Sequence, residues 1–169
     1  MIVEHPTARL VRETDGGFEL RVERGATLRA VPLAEGWRID GSDLPEGWSL
    51  RRAVDTGSGF LLSTGERPDD EAARTSGMCA GAGEREARSL LTADGRLFRI
   101  VLRGPRDGRF ELVGWETPGA YLVARPESTG WRIDPTSACG GIDDLRVIAV
   151  LFAAEVLDAE EPLVPGVSS

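Results

Sequence analysis

Short runs in which apolar and charged side chains alternate fill the front two-thirds of the chain. In FELRV, Phe18 to Val22, the apolar residues fall at every second position, the mark of a half-buried strand. GWRID repeats the pattern: Trp37 and Ile39 point one way, Arg38 and Asp40 the other. GWSLRRAV, GFLLS, RSLL, RLFRIVL, RFELVGW and AYLVA are further short apolar runs. Between runs sit Asp15-Gly16, Asp94-Gly95 and Asp107-Gly108, and Asp-Gly flanked by apolar runs signals a tight hairpin. Many short strands at close spacing predict an antiparallel sandwich or barrel.

Two stretches break the rhythm. Residues 64–87 are polar and acidic, then glycine-rich, and predict a long exposed loop with a short helical turn near Glu71 to Arg74. Residues 162–169 predict a flexible tail, leaving one domain over 1–161.

One sentence of the sequence is written twice. Ala26, Leu28, Ala30 and Pro32 precede one GWRID; Ala120, Leu122, Ala124 and Pro126 precede the other. Upstream of each copy stands FEL, at Phe18 and again at Phe110. An internal duplication of strand units accounts for this. Two copies are too few for a solenoid or propeller and suit two related halves of one closed sheet.

Only the second copy is followed by an oily run. Val147 to Ala154, VIAVLFAA, is apolar on every side, and neither glycine nor proline interrupts it before Pro162. Valine and isoleucine would suit a central strand, but the alanines and the acidic ends favour a helix over about 143–158. A helix that is hydrophobic all round must be buried all round. The run falls short of the roughly 20 apolar residues that span a bilayer. Asp143 or Asp144 would cap its start.

The turns followed by strands (ADGRLFRIVL) and the ending GWRIDPTSACGGIDDLRVIAVLFAAEVLD together resemble the tubby-like superfamily. The resemblance is nearest to the LURP-one-related and phospholipid-scramblase-like proteins. It implies a closed antiparallel barrel of about 12 strands around a buried hydrophobic C-terminal helix, a mainly β fold. The reading taken with it is a non-enzymatic binding module of unknown ligand that meets a lipid headgroup, a membrane surface or another protein, cytoplasmic or peripheral at the membrane. Two other readings stay open: a structural or protein-interaction domain with no small ligand, and a carrier or enzyme using a barrel cavity.

Composition narrows the chemistry. All 20 basic residues are arginine, and lysine, asparagine and glutamine are absent, which points to a GC-rich, bacterial coding sequence. Without lysine there is no Walker-type phosphate loop and no Schiff base. A formal net charge of −8 opposes the phosphate backbone, so no nucleic-acid partner is expected. The N-terminal residues carry no secretory pattern, and Cys79 and Cys139 form no CxxC pair, so two unpaired thiols of a cytoplasmic protein are expected.

Candidate chemical groups are few. His5 is the only histidine, too little for a zinc site or a Ser-His-Asp triad. Cys139 precedes the predicted helix, where a thiol can be activated, but it lacks a partner base and reads as a small buried residue. Cys79 reads as an incidental loop residue. Gly77, Gly81 and Gly83 lack the strand, helix and cation of a phosphate cradle. Asp69-Asp70-Glu71 and Asp143-Asp144 lack the alternating ligands of a calcium loop. No catalytic residue, metal or cofactor is therefore assigned. Tubby proteins bind phosphoinositides through a basic patch; the nearest candidates here are Arg103, Arg106 and Arg109 around one turn, and Arg51 with Arg52.

Overall fold

The structure is a computed structural model. It describes residues 6–23, 25, 27–41, 44, 48–53, 59–65, 71–79, 87–103, 108–114, 119–141 and 145–164. Twelve strands follow one another: β1 (Ala8–Arg12), β2 (Phe18–Val22), β3 (Thr27–Leu33), β4 (Gly36–Gly41), β5 (Trp48–Arg52), β6 (Phe60–Ser63), β7 (Glu71–Cys79), β8 (Ala87–Thr92), β9 (Leu97–Arg103), β10 (Arg109–Gly114), β11 (Ala120–Glu127) and β12 (Gly130–Pro135). Each is antiparallel to its neighbour in sequence, and β1 pairs with β12 to close the ring. Closure leaves no unpaired sheet edge. A 3-10 turn (Ser137–Gly141) leads towards the one α-helix among the described residues, α1 (Leu145–Glu160).

Alternation along the strands sets what faces the lumen. Leu10, Phe18, Leu20, Trp37, Ile39, Leu50, Leu90, Leu112 and Ile133 are all essentially inaccessible to solvent. Arg9, Arg21, Arg38 and Arg132, on the intervening positions, are exposed. Into this apolar lumen goes α1. Its residues Val147, Ile148 and Val150 to Leu157 are buried, although they cover every side of the helix. Near its C-terminal end the helix touches Thr75 of β7, Arg88 of β8, Arg52 of β5, Arg12 of β1 and Trp131 of β12. Strands drawn from all round a closed ring can meet one helix only if that helix lies inside.

The duplicated sentence folds into duplicated registers. Trp37 faces Pro32, and Trp131 faces Pro126; Ile39 faces Ala30, and Ile133 faces Ala124. One strand earlier, Phe18 faces Ala30 and Phe110 faces Ala124. The repeated unit is thus β2–β4 against β10–β12. These units are not the two halves of the ring that the duplication alone suggested, since halves of a twelve-strand ring would repeat after six strands. The step is eight strands one way and four the other. The buried Phe60, which opens β6, occupies the intermediate step.

Two expectations are corrected. Residues 64–87 are not one long loop, because β7 occupies Glu71–Cys79 and pairs with both β6 and β8. Its described inward residues, Ala73 and Thr75, are small and fully buried on a part of the wall that α1 packs against. The predicted turn at Glu71 to Arg74 is a β-bulge. The register shift beside Ser63 carries Glu71 onto the same face as Arg74, so the two form an ion pair at a spacing usual for helices. Nor is all of 162–169 a free tail: Leu163 is 1% exposed, its N–H donates to Asp158 Oδ1 at 2.8 Å and its carbonyl accepts from Arg52. The predicted caps Asp143 and Asp144 lie outside the described residues.

Candidate functional site

Three places hold polar groups in arrangements that the fold must sustain. The first is inside the barrel. Glu155, in the middle of the apolar helix face, is 2% exposed. Thr75 Oγ1 donates to its Oε1 at 2.7 Å, while Arg88 Nε stands 2.9 Å from Oε2 as an ion pair without hydrogen-bond alignment. The same Thr75 oxygen accepts the N–H of Phe60 at 2.7 Å. Burial pushes the Glu155 carboxyl above the usual carboxylate range, against the opposing pull of the Thr75 bond and the Arg88 charge.

The second place is the barrel mouth where α1 ends. Arg12 and Arg52 each lie two residues beyond a buried leucine of their strands, Leu10 and Leu50, so both point inward. Arg12 donates to the carbonyls of Leu157 and Glu161. Arg52 donates to Asp158 Oδ1 at 2.6 Å and lies over the Phe60 ring at 5.0 Å. Trp131 Nε1 donates to Glu160 at 3.3 Å. The last turn of α1 carries carboxylates where a helix dipole disfavours them, and the two guanidiniums offset both them and the bare carbonyls. These groups hold the helix in place. Arg52 is thereby removed from the basic surface expected for it, whereas Arg51 is exposed.

The remaining sequence candidates divide. Arg103 and Arg109 face each other across the β9–β10 pair, as their placement around one turn predicts. Arg109 is held 3.6 Å from Glu111. Arg106 and the side chain of Arg103 lie outside the described residues, as do His5, Asp69, Asp70, Gly81, Gly83 and the side chain of Cys79. Gly77 lies in β7, which pairs with strands on both sides. Cys139 is buried, its thiol donates to the Tyr121 carbonyl at 3.0 Å, and burial raises its pKa. A thiol so placed is the opposite of an activated nucleophile.

The third place is on the outer wall and was not legible as a site in the sequence. Closure of the ring sets Arg132 opposite Arg9, Arg9 opposite Arg21, and Arg125 opposite Arg132. Four exposed arginines therefore stand in one row across β11, β12, β1 and β2, spaced by about 4.8 Å from strand to strand. Like charges directly opposite one another destabilise a sheet. Carboxylates relieve part of the row: Arg21 pairs with Glu19 at 2.8 Å, and Asp134 serves Arg132 at 3.0 Å, Arg125 at 3.3 Å and the Thr7 hydroxyl at 2.7 Å. The bond from Arg21 holds the Glu19 carboxyl below its ordinary range. The side chain of Arg9, in the middle, has no ion-pair or hydrogen-bond partner among the described residues. Over this row lies an open cleft of about 430 Å³ lined by Thr7, Arg9, Arg21, Val22, Glu23, Glu127 and Arg132.

Among the described residues no group of three or more histidine, cysteine, aspartate or glutamate side chains could hold a metal, and no helix is long and apolar enough to cross a membrane. Comparison with protein-family models, with curated proteins and with solved structures finds no match to this chain.

Proposed function

We propose that the chain is a non-enzymatic binding module of the tubby-like kind, and that its partner, an anionic lipid headgroup or membrane surface, docks on the outside of the barrel. The observation that carries this reading is the occupied lumen. A helix buried on every side, with its own polar groups bound to the wall, takes the space in which a barrel carrier would hold a ligand. Recognition then falls to the outer wall, where four exposed arginines stand side by side and the side chain of one of them, Arg9, has no partner among the described residues. Each arginine beside an anionic bilayer contributes roughly 1 kcal/mol and is screened by salt. The chain's net charge of −8 opposes such binding, so it must be local.

Flotation of the protein with vesicles that contain or lack anionic lipid tests the proposal. We expect weak flotation at low salt that disappears at high salt. Arg9→Ala and the triple alanine variant at Arg103, Arg106 and Arg109 identify which face is responsible. A protein partner is the second reading. It is favoured by Leu91 and Leu97, which pair across the β8–β9 hairpin and remain 43% and 36% exposed. Absence of flotation at low salt would leave that reading in place.

A further inference from the structure

The cleft above the arginine row contains an electrostatic mismatch. Arg9 lines this cleft with its side chain unpartnered, while Glu23 and Glu127 line the same cleft, and their side chains too have neither hydrogen bond nor ion pair among the described residues. Unpaired charges of both signs thus share one small space without reaching each other. The registers explain why. Arg125, Arg132, Arg9 and Arg21 occupy one level of the wall. Glu127 faces Gly130, two residues along β12 from Arg132, and Glu23 follows Arg21 by two residues on the other side. One carboxylate therefore sits about 7 Å above the row and the other as far below it, on the strand rise alone.

We infer that this cleft is a site for a dipolar ligand, a phosphate ester that also carries an ammonium group: the phosphate sits over Arg9 between Arg132 and Arg21, and the ammonium reaches Glu23 or Glu127. A tetrahedral oxyanion offers several oxygens to guanidiniums, and Arg9 stands between Arg132 and Arg21 on adjacent strands, with only its own side chain free of a carboxylate. Flanking carboxylates favour, over a purely anionic ligand, one whose far end is positive. The ligand's two ends would complete the pairs that the protein leaves open. This deepens the outer-wall reading above and rests on it. The same chemistry occurs in a free amino-alcohol phosphate and in the headgroup of an amine-bearing phospholipid.

The test uses the full chain, with O-phosphoethanolamine and inorganic phosphate titrated separately and followed by amide chemical shifts. Vesicles of phosphatidylethanolamine in a neutral carrier lipid, and separately of an anionic lipid lacking an amine, supply the membrane arm. We expect O-phosphoethanolamine to bind more tightly than inorganic phosphate and to shift β1, β2 and β12. Arg9→Ala should weaken it by about tenfold or more, the scale of one lost hydrogen bond to a charged group. The double variant Glu23→Gln, Glu127→Gln should weaken O-phosphoethanolamine and leave inorganic phosphate unchanged or tighter. These three residues are exposed and unpartnered, so the variants are expected to keep the wild-type melting point, which is measured alongside. Flotation with phosphatidylethanolamine identifies the ligand as a headgroup, and binding of the free ester alone identifies a soluble one.

The inference is overturned if the glutamine variants bind O-phosphoethanolamine as tightly as wild type or tighter, since that is the behaviour of a simple anion patch. It is overturned equally if O-phosphoethanolamine does not bind. If flotation on anionic vesicles persists in either case, the outer-wall reading survives without the dipolar site. Loss of every interaction removes both.

Discussion

Thr75→Val isolates the one hydroxyl on which the barrel interior depends. Valine has nearly the same shape, so packing is kept while two hydrogen bonds are lost. The Phe60 N–H loses its acceptor and Glu155 Oε1 loses its donor, each now at 2.7 Å, around a side chain with no solvent exposure. A buried polar group left without a partner costs about 1–3 kcal/mol, so two cost roughly 2–6 kcal/mol, out of a total domain stability of about 5–15 kcal/mol. For a chain of this size each kcal/mol lowers the melting temperature by about 2–4 °C. Thr75→Ser keeps the hydroxyl and gives up one buried methyl, at about 0.8 kcal/mol. The deficit of the valine variant should also depend on pH. The Glu155 carboxyl is raised by burial, so the folded state holds its proton more tightly than the unfolded chain does. Its contribution to stability is full below the ordinary carboxylate range and is lost as pH rises through the elevated pKa, by up to about 1.4 kcal/mol per pH unit. Removing a bond to the charged form raises that pKa further, so the valine variant should lose more at neutral than at acid pH. Urea denaturation at several pH values reads both effects. A valine variant within about 0.5 kcal/mol of wild type, or a deficit that shrinks towards neutral pH, would refute the reasoning, because the first outcome is smaller than even one orphaned group should cost.

Phe152→Asp should fail to fold, because a lone carboxylate would replace a fully buried ring in the middle of α1; circular dichroism and solubility report it. Trp37 and Trp131, at 0% and 6% exposure, should both resist acrylamide quenching until the barrel unfolds, as single-tryptophan variants would show. The Cys139 thiol should react with a disulfide reagent only at the rate of unfolding in a Cys79→Ser background; fast reaction in native buffer would contradict its burial.

The strands that could be read from the sequence are those with one apolar phase and one charged phase, such as FELRV and both copies of GWRID. The helix was legible for the opposite reason: α1 has no polar face to lose. β7 escaped because its buried positions Ala73 and Thr75 are small and weakly hydrophobic, so its alternation is faint, and because a bulge gives Glu71 and Arg74 a helical spacing. Leu163 escaped because two apolar residues, Leu163 and Val164, between prolines are too short a run to show a period. The arginine row could not be seen along the chain at all. Arg9 and Arg21 lie at one end of the sequence, Arg125 and Arg132 at the other, and only the β1–β12 pairing joins them. Its one sequence signal is that ARLVR, FELRV and GWRID each place an arginine on the solvent phase of a strand.

Ring closure has a consequence for how the chain is made. Leu10 pairs with Trp131, so the first strand waits for nearly the whole sheet before it finds its last neighbour. Contacts of such sequence separation make folding slow. The helix that fills the lumen follows all twelve strands, so during synthesis the sheet exists with two open edges and an uncovered apolar face. Closing early would shut the helix out, and remaining open invites pairing with another chain. Arg12, on that seam, binds the end of the helix, so the strand that closes the barrel also makes contacts that are available only once the plug is in place.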